Sequence, residues 1–384
     1  MAGFKNVIAD FSARLPLFFG MKRSDSYKKQ TGLPKALNAL MNKQKILSEK
    51  NEGQVSSERW SPDREYRLED TVVFTKKKNR DFIVLSLTDV HFSDYDYRAY
   101  YAFEGTLTIK RLVAAVQPDL ITVSGDIVCG KSDKYAIARF TDLMESFGIP
   151  WAPIFGNHDR EANCDLNYLA DIMMKSPHCV MKKGDPSAGV GNYIINIVEE
   201  NDDGSVVPCE SLIMYYSRFG NTEKLKSWYA WACDGIKKLS GGRAETALFT
   251  HIPIAEYQYA HDEAWDETAG KWRDGYKAYG KRNEDIGVDY DADGKPVLDG
   301  FFDTIKENGT KFFFCGHDHM NDFSIEYQGV RLTYILKLGY GSGFQKGYNG
   351  GTVISIKSDG ISRITHKTVS YGIMKDIVDI DTKK

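Results

Sequence analysis

Three short apolar runs recur along the chain, and each is followed at once by a polar cluster. They span Phe82 to Leu87, Leu120 to Ser124 and Trp151 to Phe155, separated by helical stretches over 103–116 and 135–147. Strand and helix thus alternate at spacings of roughly 30–40 residues, the pattern of βαβ units feeding a parallel sheet. The runs are continuously apolar and rich in β-branched residues, as expected of strands buried on both faces. Pro118 ends the first helix.

The second half has a different texture. Tyr193 to Val198 and Ser211 to Ser217 flank the turn-rich Asn201-Asp202-Asp203-Gly204, which predicts an antiparallel pair. A helix over 222–239, a strand over 246–250, a helix over 301–308 and a strand over 311–315 follow. Two or three further strands are expected up to about residue 370. The expected fold class is α/β with mixed sheets, in one domain over residues 79–375. An aromatic-rich insertion interrupts it at about 256–298. Residues 1–78 read as a basic N-terminal extension, poorly ordered or partly helical, with one helix over 34–47.

Charge and composition narrow the function classes. The 384 residues carry a formal net charge of −3. Residues 1–50 hold ten Lys or Arg and three Asp or Glu, so the tail is basic and the body acidic. An acidic body is poorly suited to a nucleic acid. No apolar run reaches the roughly 18 residues of a membrane span. Asp10 and Arg14 interrupt the N-terminal apolar pieces, and no small-residue cleavage site follows. The six cysteines form no Cys-x-x-Cys pair. Reduced thiols and a cytoplasmic location are therefore expected.

The chemistry lies just past the strands, where open α/β sheets bind ligands. The successive strand ends carry Asp89-Val90-His91, Gly125-Asp126, Gly156-Asn157-His158-Asp159, His251 and Gly316-His317-Asp318-His319. Imidazole, carboxylate and side-chain amide are ligands of divalent metals such as manganese, iron and zinc. Asp89, His91, Asp126, Asn157, His251, His317 and His319 are too many for one tetrahedral ion. They suit two ions sharing a carboxylate, a recurrent device for displacement at phosphorus.

In this order the motifs resemble those of the calcineurin-like metallophosphoesterase superfamily. Ile252-Pro253 and Asn321-Asp322-Phe323 are similar to the purple acid phosphatase-like subgroup. The resemblance implies a four-layer α/β/β/α sandwich. It implies one ion on Asp89, His91, Asp126 and His319, and a second on Asp126, Asn157, His251 and His317, with Asp126 bridging. His158 would sit outside the ions and act on the substrate. Purple acid phosphatases carry a tyrosine ligand three residues after the bridging Asp; here Cys129 stands there. The iron–phenolate colour is therefore not expected, and a packed thiol is the expected role of Cys129.

The expected function is hydrolysis of a phosphate ester, with in-line attack by a hydroxide bridging the two ions. Asp126 and His158 are its catalytic residues, His158 protonating the leaving oxygen or steadying the phosphate. Asn157, His158 and Arg160 are candidate substrate contacts. Asp159 and Asp318 either orient imidazoles or sit in solvated loops. The substrate would be a small phosphorylated molecule or a phosphoprotein. Two alternatives stand: a nuclease or phosphodiesterase on nucleic acid, and a non-catalytic scaffold that kept the fold. Asp289-x-Asp291-x-Asp293-Gly294 opens like a calcium loop but has Gly300 where a Glu is required, so a turn is expected. His178, His261 and His366 read as surface residues. The tyrosines and tryptophans of 256–298 read as a lid over the ions.

Overall fold

The computed structural model describes residues 60–384, apart from 94–97, 131–132, 162–163, 203, 217–221, 342, 346 and 371. The expected helix over 34–47 and the basic tail lie outside the described residues. The first βαβ units form as the pattern requires. Strand β2 (Phe82–Leu87), helix α1 (Arg98–Val116), strand β3 (Leu120–Ser124), helix α2 (Asp133–Glu145) and strand β4 (Trp151–Ile154) run in order. The three strands are parallel, with Leu85 opposite Ile121 and Ile121 opposite Trp151. Nearly every residue in them is buried, which explains their continuous hydrophobicity.

Three antiparallel strands complete this sheet beside β2. They are β14 (Gly350–Lys357), β15 (Gly360–Ser370) and β16 (Ile373–Asp381), giving the order β16-β15-β14-β2-β3-β4. Helix α1 packs against β2 and β14, and α2 packs against helix α3 (Leu166–Met173). Asp165 caps α3 by accepting from Asn167 N at 3.1 Å.

A second, eight-stranded sheet holds the rest of the chain. It is built from β1 (Val72–Thr75), β5 (Tyr193–Glu200), β6 (Val206–Met214), β7 (Glu245–Phe249), β10 (Ala278–Tyr279), β11 (Phe312–Cys315), β12 (Ser324–Tyr327) and β13 (Val330–Tyr334). Their order is β1-β5-β6-β7-β11-β13-β12-β10, and the short strands β8 (Trp265–Asp266) and β9 (Lys271–Trp272) pair with each other apart from it. The antiparallel β5–β6 pair forms as expected. Helix α4 (Glu223–Ser240) lies on β6, helix α5 (Glu256–Ala264) on β12, and helix α6 (Phe301–Glu307) on α4. Glu210 on β6 accepts from the backbone N–H of Ile361 on β15 at 3.1 Å, so the sheets face each other. The layers are therefore α/β/β/α.

Two expectations change. Four strands rather than two or three lie between residues 315 and 370, because β12 and β13 form a tight hairpin whose arms are only 4 and 5 residues long, and β16 follows them. The extension drawn over 1–78 also ends earlier than expected. Strand β1 pairs with β5 in parallel register, and Trp60 and Tyr66 pack on Trp231 at centroid distances of 6.0 and 5.4 Å. Gly235 admits this contact, since a Cβ there would lie 2.1 Å from the Tyr66 ring. A four-residue, half-exposed edge strand is too short to show periodicity.

Candidate metal centre

The loops that leave β2, β3, β4, β7 and β11 meet at one point. Backbone hydrogen bonds continue the sheet beyond its strands: Asp89 N donates to Gly125 O at 3.1 Å, His91 N to Asp126 O at 3.0 Å and Gly316 N to His251 O at 2.9 Å. Six non-glycine residues have positive φ among the described residues, and four of them are Asp89, His91, Asp126 and His317. Left-handed backbone costs about 1–2 kcal/mol for such residues and concentrates at functional sites. Close packing requires glycine beside them. A Cβ on Gly156 would lie 2.2 Å from Asp126 Oδ1, and one on Gly125 would lie 2.6 Å from the His251 ring.

Each carboxylate is anchored through one oxygen and bare at the other. Asp126 Oδ1 accepts from His158 N at 2.8 Å. Asp89 Oδ2 accepts from Thr88 Oγ1 at 2.9 Å and His317 N at 3.1 Å. Asp126 Oδ2, Asp89 Oδ1 and both ring nitrogens of His91 are buried with no hydrogen-bond partner. Such atoms cost roughly 1–3 kcal/mol each when left unmade. Three of them, Asp126 Oδ2, Asp89 Oδ1 and His91 Nε2, lie together and need a common partner.

That partner has to be a cation. His91 Nε2 lies 3.6 Å from Asp89 Oδ1 and 3.7 Å from Asp126 Oδ2, and His319 Nε2 lies 3.4 Å from Asp89 Oδ1. On the other side of Asp126, His251 Nε2 lies 3.2 Å from its Oδ2 and 3.0 Å from Asn157 Oδ1. His317 Nδ1 is 2.9 Å from the same Asn157 oxygen. His251 donates its Nδ1 proton to Ser124 O at 2.9 Å, which aims the Nε2 lone pair at the two oxygens. Asp89, His91 and His319 form one group within metal-binding reach, and Asp126, His251 and His317 form another. The donor chemistry fits two divalent ions.

Electrostatics agree with this fit. Burial pulls His91 and His317 down to about 4, so both rings are neutral and able to bind a metal. Burial opposes charge on His251, but the Asp126 and Asp89 carboxylates overcome it and raise its pKa to about 10. A proton there occupies the position that a cation would take. Lys337 is buried beside the centre, and its Nζ donates to Asp89 O at 3.3 Å. Burial, opposed by Asp89 and Asp126, lowers its pKa to about 8.

All seven expected ligands converge here. His158 stands at the rim, half-buried, with Nε2 3.9 Å from Asp126 Oδ2 and Nδ1 2.7 Å from Glu161 Oε1. Arg160 lines a cleft with Asn157, Tyr216 and His251. Asp159 and Asp318 are buried, and neither bonds an imidazole. Asp159 accepts from Val128 N at 2.9 Å and Gly156 N at 2.7 Å, tying the β3 and β4 loops together. Asp318 accepts from Tyr334 Oη and, at 3.0 Å, from Gly287 N. Cys129 is buried and belongs to neither candidate group.

The insertion at 256–298 divides: helix α5 at its start is largely buried, whereas Tyr276, Tyr279 and Tyr290 further along are exposed. Tyr257 is fully buried and donates to Phe313 O at 2.9 Å. His261 is also buried, with ring centroids 5.6 Å from Trp265, 5.4 Å from Trp272 and 5.8 Å from Phe323. His366 is buried too, with Nδ1 3.0 Å from Thr352 Oγ1. The surface placement expected for these two histidines is therefore corrected. His261 packs among the rings of its own insertion and Phe323, and His366 lies inside the β14–β15 pair. His178 remains half-exposed, 2.8 Å from Glu145. Asp291 accepts from Asp293 N and Lys295 N at 2.9 Å each, so the calcium-like motif is a turn.

One strip of the insertion does support the centre, through its backbone. Asn283 N and Glu284 N donate to Asn321 Oδ1 at 2.8 and 3.1 Å. A Cβ on Gly287 would lie 2.6 Å from the His317 ring. Gly287 and Lys337 escape sequence reasoning, because neither stands in a motif or at the end of a recognisable strand.

Comparison with known proteins places these features. The calcineurin-like phosphoesterase family model matches residues 82–321. A protein of Arabidopsis thaliana named probable inactive purple acid phosphatase 14 is 28% identical over 305 residues, covering 67% of this chain and 71% of that one. Probable inactive purple acid phosphatase 29 from the same plant is 26% identical over 303 residues, covering 68% and 73%. Phosphatase DCR2 of Saccharomyces cerevisiae is 26% identical over 242 residues, 56% of this chain and 38% of that one. The metal-binding loops, the layered sheets and the family match agree, and the chain belongs to the calcineurin-like phosphoesterase family.

Proposed function

We propose that the protein hydrolyses a phosphate ester at a centre of two divalent ions. The observation that carries this reading is the set of buried, partnerless ligand atoms on Asp89, His91 and Asp126, facing His319 on one side and His251 on the other. Asp89, His91, Asp126 and His319 would hold one ion; Asp126, Asn157, His251 and His317 would hold the other. When bound, such a pair polarises phosphoryl oxygens and supplies a nucleophile from water near neutral pH. The chain's own residues do the rest. Asp126 keeps one oxygen pinned by His158 N and leaves the other free for the ions. Ser124 fixes the tautomer and direction of His251. Glu161 holds Nδ1 of His158, so that Nε2 faces the reacting phosphate and delivers a proton to the leaving oxygen. Asn157 and Arg160 orient the substrate. The substrate is a small phosphorylated molecule or a phosphoprotein. Among the described residues no helix is long and apolar enough to cross a membrane.

The test is turnover of a chromogenic phosphomonoester and its diester after loading with manganese, iron, cobalt or zinc. Turnover lost in Asp126→Asn supports the reading; no turnover with any ion overturns it. The names of the plant relatives favour a second reading, a metal-holding module without catalysis. Stoichiometric metal with no turnover of any phosphorylated substrate would establish that one.

A further inference from the structure

The strip 281–287 of the insertion lies along the chain that leaves β11, and polar bonds join the two from end to end. Asp322 N donates to Lys281 O at 3.1 Å. Asn321 Oδ1 accepts from Asn283 N and Glu284 N at 2.8 and 3.1 Å. Asn283 Nδ2 donates to Met320 O at 2.8 Å, and Met320 N donates back to Glu284 Oε1. Gly287 N donates to both oxygens of Asp318, at 3.0 and 3.2 Å. Asp318 and Asn321 are buried, and Tyr334 Oη on β13 also donates to Asp318.

The segment held in this way carries His317 and His319, which belong to different candidate ion positions. His317 has a φ of 73°, a left-handed backbone that a side chain disfavours. Such a conformation persists only where its surroundings impose it. An imidazole can bind a metal through either nitrogen, and the contact made by one nitrogen decides the use of the other. Gly287 makes that contact for His317. A Cβ on Gly287 would lie 2.6 Å from Cδ2 of the ring and 2.7 Å from its Nε2, so protein backbone occupies that side. The opposite nitrogen, Nδ1, lies 2.9 Å from Asn157 Oδ1, at the second ion position. Asp318 holds Gly287, and Gly287 turns the ring.

We infer that residues 281–287 are a clasp on the centre, with Asp318 and Asn321 as positioning residues. The clasp keeps Nδ1 of His317 toward the second ion and fixes the step from His317 to His319. It presupposes the two-ion centre of the phosphoesterase reading but not its turnover. Whatever factor the closed clasp adds to ion affinity, bound ions return to the clasp as protection from opening.

Three measurements on the full chain test it, none of them catalytic. Calorimetric titration gives the manganese affinity. Hydrogen exchange read by mass spectrometry follows the amides of 281–287. The visible absorption of the cobalt-loaded chain reports ligand geometry. Manganese should slow exchange in the strip about tenfold. Asn321→Ala and Glu284→Ala each remove an acceptor from the clasp. Each should weaken manganese binding about fivefold and alter the cobalt spectrum. Glu284→Gln loses the same charge as Glu284→Ala but keeps an acceptor for Met320 N. It should bind manganese within about twofold of the unaltered protein, with an unchanged cobalt spectrum. Should Asn321→Ala fail to fold, the half-exposed Glu284 decides alone.

Exchange in the strip that ignores manganese overturns the clasp and leaves the phosphoesterase reading standing. So does an unchanged affinity in the alanine variants. A Glu284→Gln variant as weak as Glu284→Ala makes the effect one of charge and also overturns the clasp. A strip protected by manganese in a chain without turnover supports the clasp and fails the hydrolytic reading alone. Failure of the unaltered chain to bind manganese or cobalt overturns both.

Discussion

Asp126 Oδ2, a buried carboxylate oxygen without a hydrogen-bond partner, lies 3.2 Å from His251 Nε2. Only a cation or an added proton makes that pair stable. Replacing Asp126 with Asn removes the charge shared by both ion positions. Asp126→Asn should lose at least one of two bound ions and activity together, the latter by about 100-fold or more. Elemental analysis of the purified variant and its turnover rate check this.

His158 differs from the ligands in being half-exposed and bound to Glu161. His158→Ala should retain both ions and lose about 100- to 10,000-fold in rate. Loss of metal in this variant would contradict its assignment to the substrate. Glu161→Gln weakens the orientation of the ring only and should have a smaller effect.

Gly287 touches the edge of the centre. Gly287→Ala would place a methyl group 2.6 Å from the His317 ring and 2.7 Å from Asp318 Oδ1. The β11 loop must shift, at a cost of about 1–3 kcal/mol. A lower melting temperature is expected, together with weaker retention of one ion in an equilibrium dialysis experiment.

Chelation should destabilise the folded chain. An ion that binds only the native state adds about 2.7 kcal/mol at a free concentration 100 times its dissociation constant. The melting temperature should fall on treatment with a chelator and recover when manganese is restored. The fall should be smaller in Asp126→Asn.

Glu210 joins the two sheets and governs a pH effect distant from the metals. Burial, and then the neighbouring Glu245 carboxylate, raise it from 4.5 to about 8. Between those values the native chain keeps a proton that the unfolded chain has released. The native state binds more protons, so this group makes stability fall as pH rises across that window. Each pKa unit corresponds to about 1.4 kcal/mol. Glu210→Gln keeps an acceptor for Ile361 N and removes the titration. Its melting temperature should rise relative to the unaltered protein from pH 5 to pH 8. A constant difference over that range would refute the assignment.

The chain's local pattern determined more of this protein than its composition did. Buried strands announce themselves as continuous apolar runs, so β2, β3, β4, β7 and β11 were legible. Ligands at strand ends follow directly from those strands, and Asp89, His91, Asp126, Asn157, His251, His317 and His319 were legible with them. What remained hidden depends on contacts between segments remote in sequence. The short edge strand β1 has no period to read. His261 and His366 are polar residues whose burial is decided by the rings and strands packed around them. Whether the aromatic residues of 256–298 cover the ions or fill a core depends on which face of the second sheet receives them. The cleft beside the centre is of the same kind, because Arg160 and Tyr216 arrive on loops of different sheets. Periodicity and turn chemistry are local properties that a sequence displays. The meeting of two loops is fixed only when the sheets that carry them stack.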